Sequence, residues 1–339
     1  MDLPSLVPMI AVVIIMLAVG FDFVNGFHDA SNVVATMIST RAFQPETALI
    51  IAAAAEFLGP FLFGTAVARV IGQGIIDPEA AQVGVILAAL FGAIAWNIVT
   101  WYFGLPSSSS HALVGGLAGA VLAAFGFSHL KVRGFVSILI VLFASPIIGL
   151  MAGYWFQKIL IFLSRGATPR INELYKRLQI VSAVALALSH GTNDAQKAMG
   201  IITMTLVSMG ALPSFAVPVW TVGLCAGAMG LGTAIGGWRI IKTVGDKIYR
   251  LRPINGFAAQ SAAASVIMSA AVFGGPVSTT HVVSSAIAGV GSAERIKAVR
   301  WNTAFDIFLA WIVTIPAAAL LSGGTYLVMR GVWRLCRGL

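Results

Sequence analysis

Charge is what this chain has least of. Of its 339 residues only 10% are Asp, Glu, Lys or Arg, with 12 acidic against 21 basic side chains. Water-soluble domains carry about 25% charged residues. With 58% apolar residues and a mean hydropathy of +0.93, the scarcity excludes a surface built for water. Cysteine is nearly absent too. Cys225 and Cys336 offer neither a disulfide framework nor a metal-ligand spacing. The amino-terminal stretch lacks a basic region and a small-residue cleavage site, so Leu6 to Val24 is expected to be a retained helix rather than a signal peptide. The net charge of +9 is not a nucleic-acid footprint. Its Lys and Arg sit mostly in short connections between apolar runs, where membrane orientation accounts for them.

Those apolar runs are long. Leu6 to Val24, Thr47 to Ile71, Gly134 to Leu163, Phe215 to Trp238 and Thr303 to Met329 each suffice for a bilayer core, which needs roughly 20 helical residues. A membrane β-barrel would alternate polar and apolar residues in strands of about 10. These runs are continuous and rich in Ala, Gly, Leu and Ile, so they predict helices.

The polar interruptions occur twice. Gly26-Phe27-His28-Asp29-Ala30-Ser31-Asn32 returns as Gly191-Thr192-Asn193-Asp194-Ala195-Gln196-Lys197, and Pro106-Ser107-Ser108-Ser109-Ser110-His111 returns as Pro276-Val277-Ser278-Thr279-Thr280-His281. Arg69 and Arg239, Gly119 and Gly289, and Pro146 and Pro316 keep the register of the second pair. The chain therefore divides into a first repeat, 1–163, a cytoplasmic linker, 164–178, and a second repeat, 179–339. Loop charge sets their orientation. Arg165, Arg170, Lys176 and Arg177 lie between the halves, and Arg239 to Arg252 is also strongly basic, which places both stretches inside. Gly72 to Ala81 carries Asp77 and Glu79 without a cation, and Ser208 to Ser214 is uncharged; both suit the outside. Equivalent loops thus face opposite ways, as in an inverted repeat with a substrate site near the midplane. Arg330, Arg334 and Arg337 then fall outside, against the positive-inside trend.

The expected architecture is all-α: a polytopic membrane protein with an inverted-topology repeat, broken helices and two re-entrant helical hairpins, near 104–111 and 274–281. Gly104-Leu105-Pro106 and Gly274-Gly275-Pro276 are strong helix breakers. Each hairpin reads as two half-helices, the second starting at the Ser/Thr run. Free amides and a positive dipole end would then point into a cavity, and Ser108, Ser109, Ser110, Ser278, Thr279 and Thr280 would add hydroxyls. Such a cradle suits an oxyanion. Serines in this position also cap helices or bond back to carbonyls.

Asp29 and Asp194 are intramembrane carboxylates, costly and usually functional, and Asn32 and Lys197 lie one turn further on the same face. Two carboxylates repel an anion, so they require a cation: a proton, sodium, or a divalent metal travelling with the substrate. A local cap or a Lys197 ion pair would also satisfy them. Glu56 is a further candidate coupling or gating carboxyl. His28 precedes the motif Asp and is a candidate proton relay, whereas His111 and His281 suit a structural role as well as a functional one. A hydrolase is disfavoured, because Ser110 and His111 are sequence neighbours that do not face each other on a helix.

With these residues the chain resembles the inorganic phosphate transporters of the PiT type. Gly191-Thr192-Asn193-Asp194 fits the front of that family's Gly-x-Asn-Asp-x-x-Asn signature, and Gly26 to Asn32 fits it with His28 in place of the first Asn. The resemblance implies secondary active uptake of phosphate by a homodimer in a bacterial cytoplasmic membrane, without a cofactor. It implies a site built from Asp29, Asn32, Asn193, Asp194 and both hairpin tips, with Gln196 and Lys197 closing the second copy of the motif. His28 and Lys197 are similar to the pattern of proton-coupled bacterial members, which carry a neutral metal-phosphate complex. Proton coupling is therefore expected, with sodium the alternative and sulfate the rival substrate.

Overall fold

The structure is a computed structural model that describes residues 3–236 and 248–336. Eleven α-helices carry the described chain: α1 Leu3–Ser39, α2 Pro45–Phe63, α3 Ala66–Gly74, α4 Val83–Phe103, α5 Ser109–Phe125, α6 Val132–Leu163, α7 Ile171–Ser208, α8 Val219–Ile235, α9 Pro253–Val272, α10 Thr279–Arg295 and α11 Trp301–Cys336. No strand forms among the described residues, and the one isolated bridge there joins Ile76 to Leu130. Met16, Ile50, Leu62, Phe103, Ile147, Val181 and Leu320 are among many large apolar side chains left exposed. An exposed apolar surface of that breadth is a lipid-facing surface, and the molecule is a multi-pass membrane protein.

Several helices depart from the boundaries read in the sequence. The expected run Leu6 to Val24 continues unbroken through the first motif to Ser39, and α7 likewise carries the second motif without a break. Polar side chains do not interrupt a helix whose backbone bonds are internal. Conversely, Thr47 to Ile71 is not one span. Gly64, with φ 81°, ends α2, and α3 starts at Ala66. The connection between the repeats is also shorter than 164–178, because α7 starts at Ile171. There the Glu173–Lys176 pair stabilises its first turns. The basic stretch from Arg239 and the end of the run at Trp238 lie outside the described residues.

The two hairpin tips are built alike. Gly104 (φ 66°) and Gly274 (φ 76°) adopt the left-handed conformation. The amides of Leu105 and Gly275 then reach back to the carbonyls of Thr100 and Ala270, the pattern of a glycine-terminated helix. Pro106 and Pro276 follow, and Ser108 and Ser278 cap the next helices by accepting from the amides of His111 and His281 at 3.2 and 3.3 Å. The arms, 21 and 17 residues in α4 and α5 and 20 and 17 in α9 and α10, are longer than half-helices, because the apolar flanks extend them.

The repeats interlace rather than sit side by side. The α4–α5 hairpin packs on α11, the α9–α10 hairpin on α6, α1 on α8 and α2 on α7. Small residues allow the close approach, as is usual between membrane helices. A Cβ on Gly115 or Gly119 would strike the α11 backbone at Ile315 or Ala319, and one on Gly149 or Gly153 would strike α10 at Val282 or Ala286. The first turns of α1 and the last turns of α11 lie at one end of the molecule. Ile10, Glu79, Ser208, Arg330 and Trp333 line a common cavity there of about 880 Å³.

Candidate functional site

The first glycine of each motif places its helix. A side chain on Gly26 would collide with the Met229 carbonyl of α8, and one on Gly191 with the Glu56 carbonyl of α2. The missing Cβ lets α1 and α7 cross their neighbours backbone to backbone. Asp29 and Asp194, three residues on in each helix, then face the molecule's centre, where the hairpin tips arrive.

There the tips supply hydroxyls to both carboxylates. Ser109 donates to Asp29 at 3.1 Å and Thr279 donates to Asp194 at 3.2 Å, the same contact made once in each repeat. Thr280 crosses between repeats, donating to Asp29 at 3.3 Å and accepting from the Asn32 amide at 2.9 Å. Lys197 pairs with Asp194 at 2.6 Å, and His28 Nδ1 lies 2.7 Å from Asp29. The far nitrogen of His28 lies 3.3 Å from Thr100 and 3.4 Å from Ser107. Asn193 donates to the Gly275 carbonyl at the second tip at 3.0 Å. Every one of these side chains is buried.

Glu56 joins the cluster through a residue that the repeated motifs do not mark. His190 Nδ1 lies 2.9 Å from Glu56 and its Nε2 lies 3.7 Å from Asp194, while Thr233 donates to Glu56 at 2.5 Å. A signal for it exists in the sequence, since His190 stands four residues before Asp194 and so shares its face. Asp29, His190 and Asp194 each present a ligand atom within 4.8 Å of the others, an arrangement able to hold a cation.

Other expected site residues are used differently. Gln196 lies at the α2–α3 break, where its amide donates to the Gly64 carbonyl at 2.7 Å and its oxygen accepts from the Ala68 amide at 3.1 Å. A helix interrupted inside the protein needs such partners for its freed backbone groups. Ser108 and Ser278 are the caps already described, and Ser110 donates to the Val277 carbonyl of the opposite tip at 3.1 Å. The rings of His111 and His281 lie 4.4 Å apart, and His281 stacks on Trp311 at 3.8 Å. Trp311 in turn donates to the Pro106 carbonyl at 3.0 Å. These groups brace one tip against the other.

Charge balance says what the centre can accept. Three buried carboxyls, Asp29, Glu56 and Asp194, face one ammonium, Lys197, and two imidazoles, His28 and His190. Even with both imidazoles protonated the acids are only matched. An added anion would leave uncompensated charge in a dry interior, at a cost of several kcal/mol, unless protons or a cation enter with it.

Comparison with known proteins identifies the family. The profile of the phosphate transporter family matches residues 25–322. A probable low-affinity inorganic phosphate transporter of Bacillus subtilis (strain 168) is 46% identical over 328 residues, covering 96% of this chain and 98% of that protein. One of Rhizobium meliloti (strain 1021), described in the same words, is 48% identical over 325 residues, covering 95% and 96%. Among solved structures, "The sodium-dependent phosphate transporter" superposes with a TM-score of 0.85 at 25% identity, covering 95% of this chain and 99% of that one. With two repeats, paired Asp-bearing motifs and matched hairpin tips, the chain belongs to the phosphate transporter family.

Proposed function

We propose that this protein is a secondary active transporter that takes up inorganic phosphate by symport with protons through alternating access. The observation that carries the reading is the convergence of Asp29, Asp194 and the tip hydroxyls of both repeats on one buried, charge-matched cluster. Phosphate is to be held by Ser109, Thr279 and Thr280, by Asn32, Asn193 and Lys197, and by the first-turn amides of α5 and α10, which helix geometry leaves without internal partners. Ser108, Ser110, Ser278 and Gln196 support those elements in the closed centre. Asp29, Asp194, Glu56 and His28, joined by His190, form the coupling set. A monoanionic phosphate can also donate its own hydroxyl to Asp29 or Asp194, which sulfate cannot. Burial from both faces supports alternating access, because the centre must open before either side can exchange with it.

Protons are favoured because titratable groups already occupy the positions beside the aspartates. His28 stands against Asp29, and the Lys197 ammonium fills the place next to Asp194 where a sodium ion would otherwise sit. The sodium reading has one specific support, the sodium dependence named for the similar solved structure. A divalent metal entering with phosphate would find the Asp29, His190 and Asp194 trio. A homodimer in the bacterial cytoplasmic membrane belongs to the same proposal, and light scattering of the detergent-solubilised protein measures it.

Radiolabelled phosphate uptake into proteoliposomes, with pH and sodium gradients imposed separately, tests the function. Accumulation with the pH gradient alone is the expected result. Accumulation only with sodium would transfer the coupling to that ion, and no uptake under either gradient would remove the phosphate assignment.

A further inference from the structure

Asp22 takes no part in the central cluster, yet it is as deeply buried. It lies on α1 seven residues before Asp29, about 10 Å along the helix, towards the end that carries Ile10, Glu79 and Ser208. Loop charge assigns that end to the outside. Asp22 is 0% exposed, and among the described residues neither carboxyl oxygen has a nitrogen or oxygen hydrogen-bond partner. Beside it on α8 is the thiol of Cys225, a weak donor. One turn on, Asn25 is 0% exposed, and both ends of its amide are unpartnered among the described residues. Asn97 on α4, Thr203 on α7 and Thr221 on α8 are also fully buried polar side chains without partners among the described residues.

The opposite flank of the cluster is different. There Gln260 donates to Thr36 at 2.7 Å and accepts from Ser182 at 2.7 Å, and Thr40 donates to Gln179 at 2.8 Å. These groups on the inner flank satisfy one another, whereas Asp22, Asn25, Asn97, Thr203 and Thr221 have no such partners among the described residues. Buried polar groups without partners are uncommon and mark places where something binds or is released.

The charges around Asp22 narrow what that is. Asp194 and Lys197 of α7 act on it from the cluster side, but Lys197 is already paired with Asp194 at 2.6 Å. On its own helix the nearest ionisable groups are His28 and Asp29, two turns away. On α8 it meets Cys225, and α4, which packs on α1, carries no charged side chain. A bare carboxylate here would have no counter-charge of its own, a cost of several kcal/mol, and a thiol is a poor ligand for a hard cation. A proton requires one acceptor oxygen and removes the charge.

We propose that Asp22 binds one of the coupled protons, at a site separate from the phosphate cluster. The O–H bond forms on the carboxylate when the outer flank opens and breaks when the proton is given up on the inward-facing stage. No electrons move. This inference rests on the proton-symport reading above.

The test compares wild type with Asp22→Asn in proteoliposomes, by phosphate–phosphate exchange at equal pH and by accumulation under an inward proton gradient. The amide has the shape of the protonated acid, so exchange persists. Accumulation falls about tenfold per unit of pH gradient, the thermodynamic worth of one lost proton, and Asp22→Glu restores it. Accumulation by Asp22→Asn equal to wild type overturns the proposal and leaves proton symport standing. A wild type that does not respond to the proton gradient overturns both. If Asp22→Asn does not fold, infrared difference spectra on changing pH decide between wild type and Asp22→Glu. A carboxylic-acid carbonyl band that moves between them supports the site, and an unmoved band overturns it.

Discussion

Lys197 is fully buried and has its counter-charge, Asp194, at 2.6 Å. Removing one partner of such a pair is far worse than removing both, because the survivor is left charged and dry. Lys197→Met is therefore expected to destabilise the protein by about 3–5 kcal/mol, and Lys197→Met with Asp194→Asn to regain much of that loss. Thermal denaturation in detergent measures both. For transport, Asp29→Asn and Asp194→Asn are each expected to abolish phosphate uptake while inserting normally in the membrane. A wild-type rate in either variant would take the coupling role from that residue. The site is only partly legible at this scale. Asp29, Asp194 and the tip hydroxyls stand out because they recur in register. Gln196 is misplaced by a reading of the chain because sequence shows position along a helix but not which neighbour a side chain meets. Asp22 escapes such a reading because its counterpart in the second motif's register is Ala187, so repetition does not point to it.

At the scale of elements, glycine decides where helices cross. A methyl at Gly26 would strike the Met229 carbonyl, whereas at Gly20, two turns earlier in α1, it would meet no atom within 4 Å. Gly26→Ala is thus expected to lower stability by about 1–3 kcal/mol, and Gly20→Ala to be neutral or stabilising by up to about 1 kcal/mol. Equal melting shifts in the two would contradict the crossing geometry. The tips are well marked in the chain, because Gly104-Leu105-Pro106 and Gly274-Gly275-Pro276 end helices where φ turns positive. The α2–α3 break is hidden inside an apolar run. It depends on Gln196, 132 residues away from Gly64, and no local pattern carries such information.

For the whole molecule, the halves are equivalent in plan and unequal in detail. The base of the second hairpin, away from its tip, is tied by Glu294, which accepts from Gln157 of α6 at 2.8 Å, from Tyr249 at 2.9 Å and from Asn255 of α9 at 2.7 Å, and pairs with Arg252. In the tip register the first half has Ala124 at that position. Burial, with the Glu294 carboxylate beside it, pushes the Tyr249 phenol up to about 12, so it remains a donor at physiological pH. Tyr249→Phe is expected to cost about 1.5–3 kcal/mol, the worth of a hydrogen bond to a charged group, read again as a melting shift. The interlaced packing explains why neither half offers a complete site alone. Asp29 takes Ser109 from its own repeat and Thr280 from the other.

That the two repeats build one phosphate site is the claim on which the rest depends, and binding stoichiometry tests it most directly. Equilibrium binding of radiolabelled phosphate to the purified protein is predicted to saturate at one phosphate per chain, and Ser109→Ala and Thr279→Ala are each predicted to weaken that single site. Saturation at two per chain, or loss of half the sites in each variant, would contradict it.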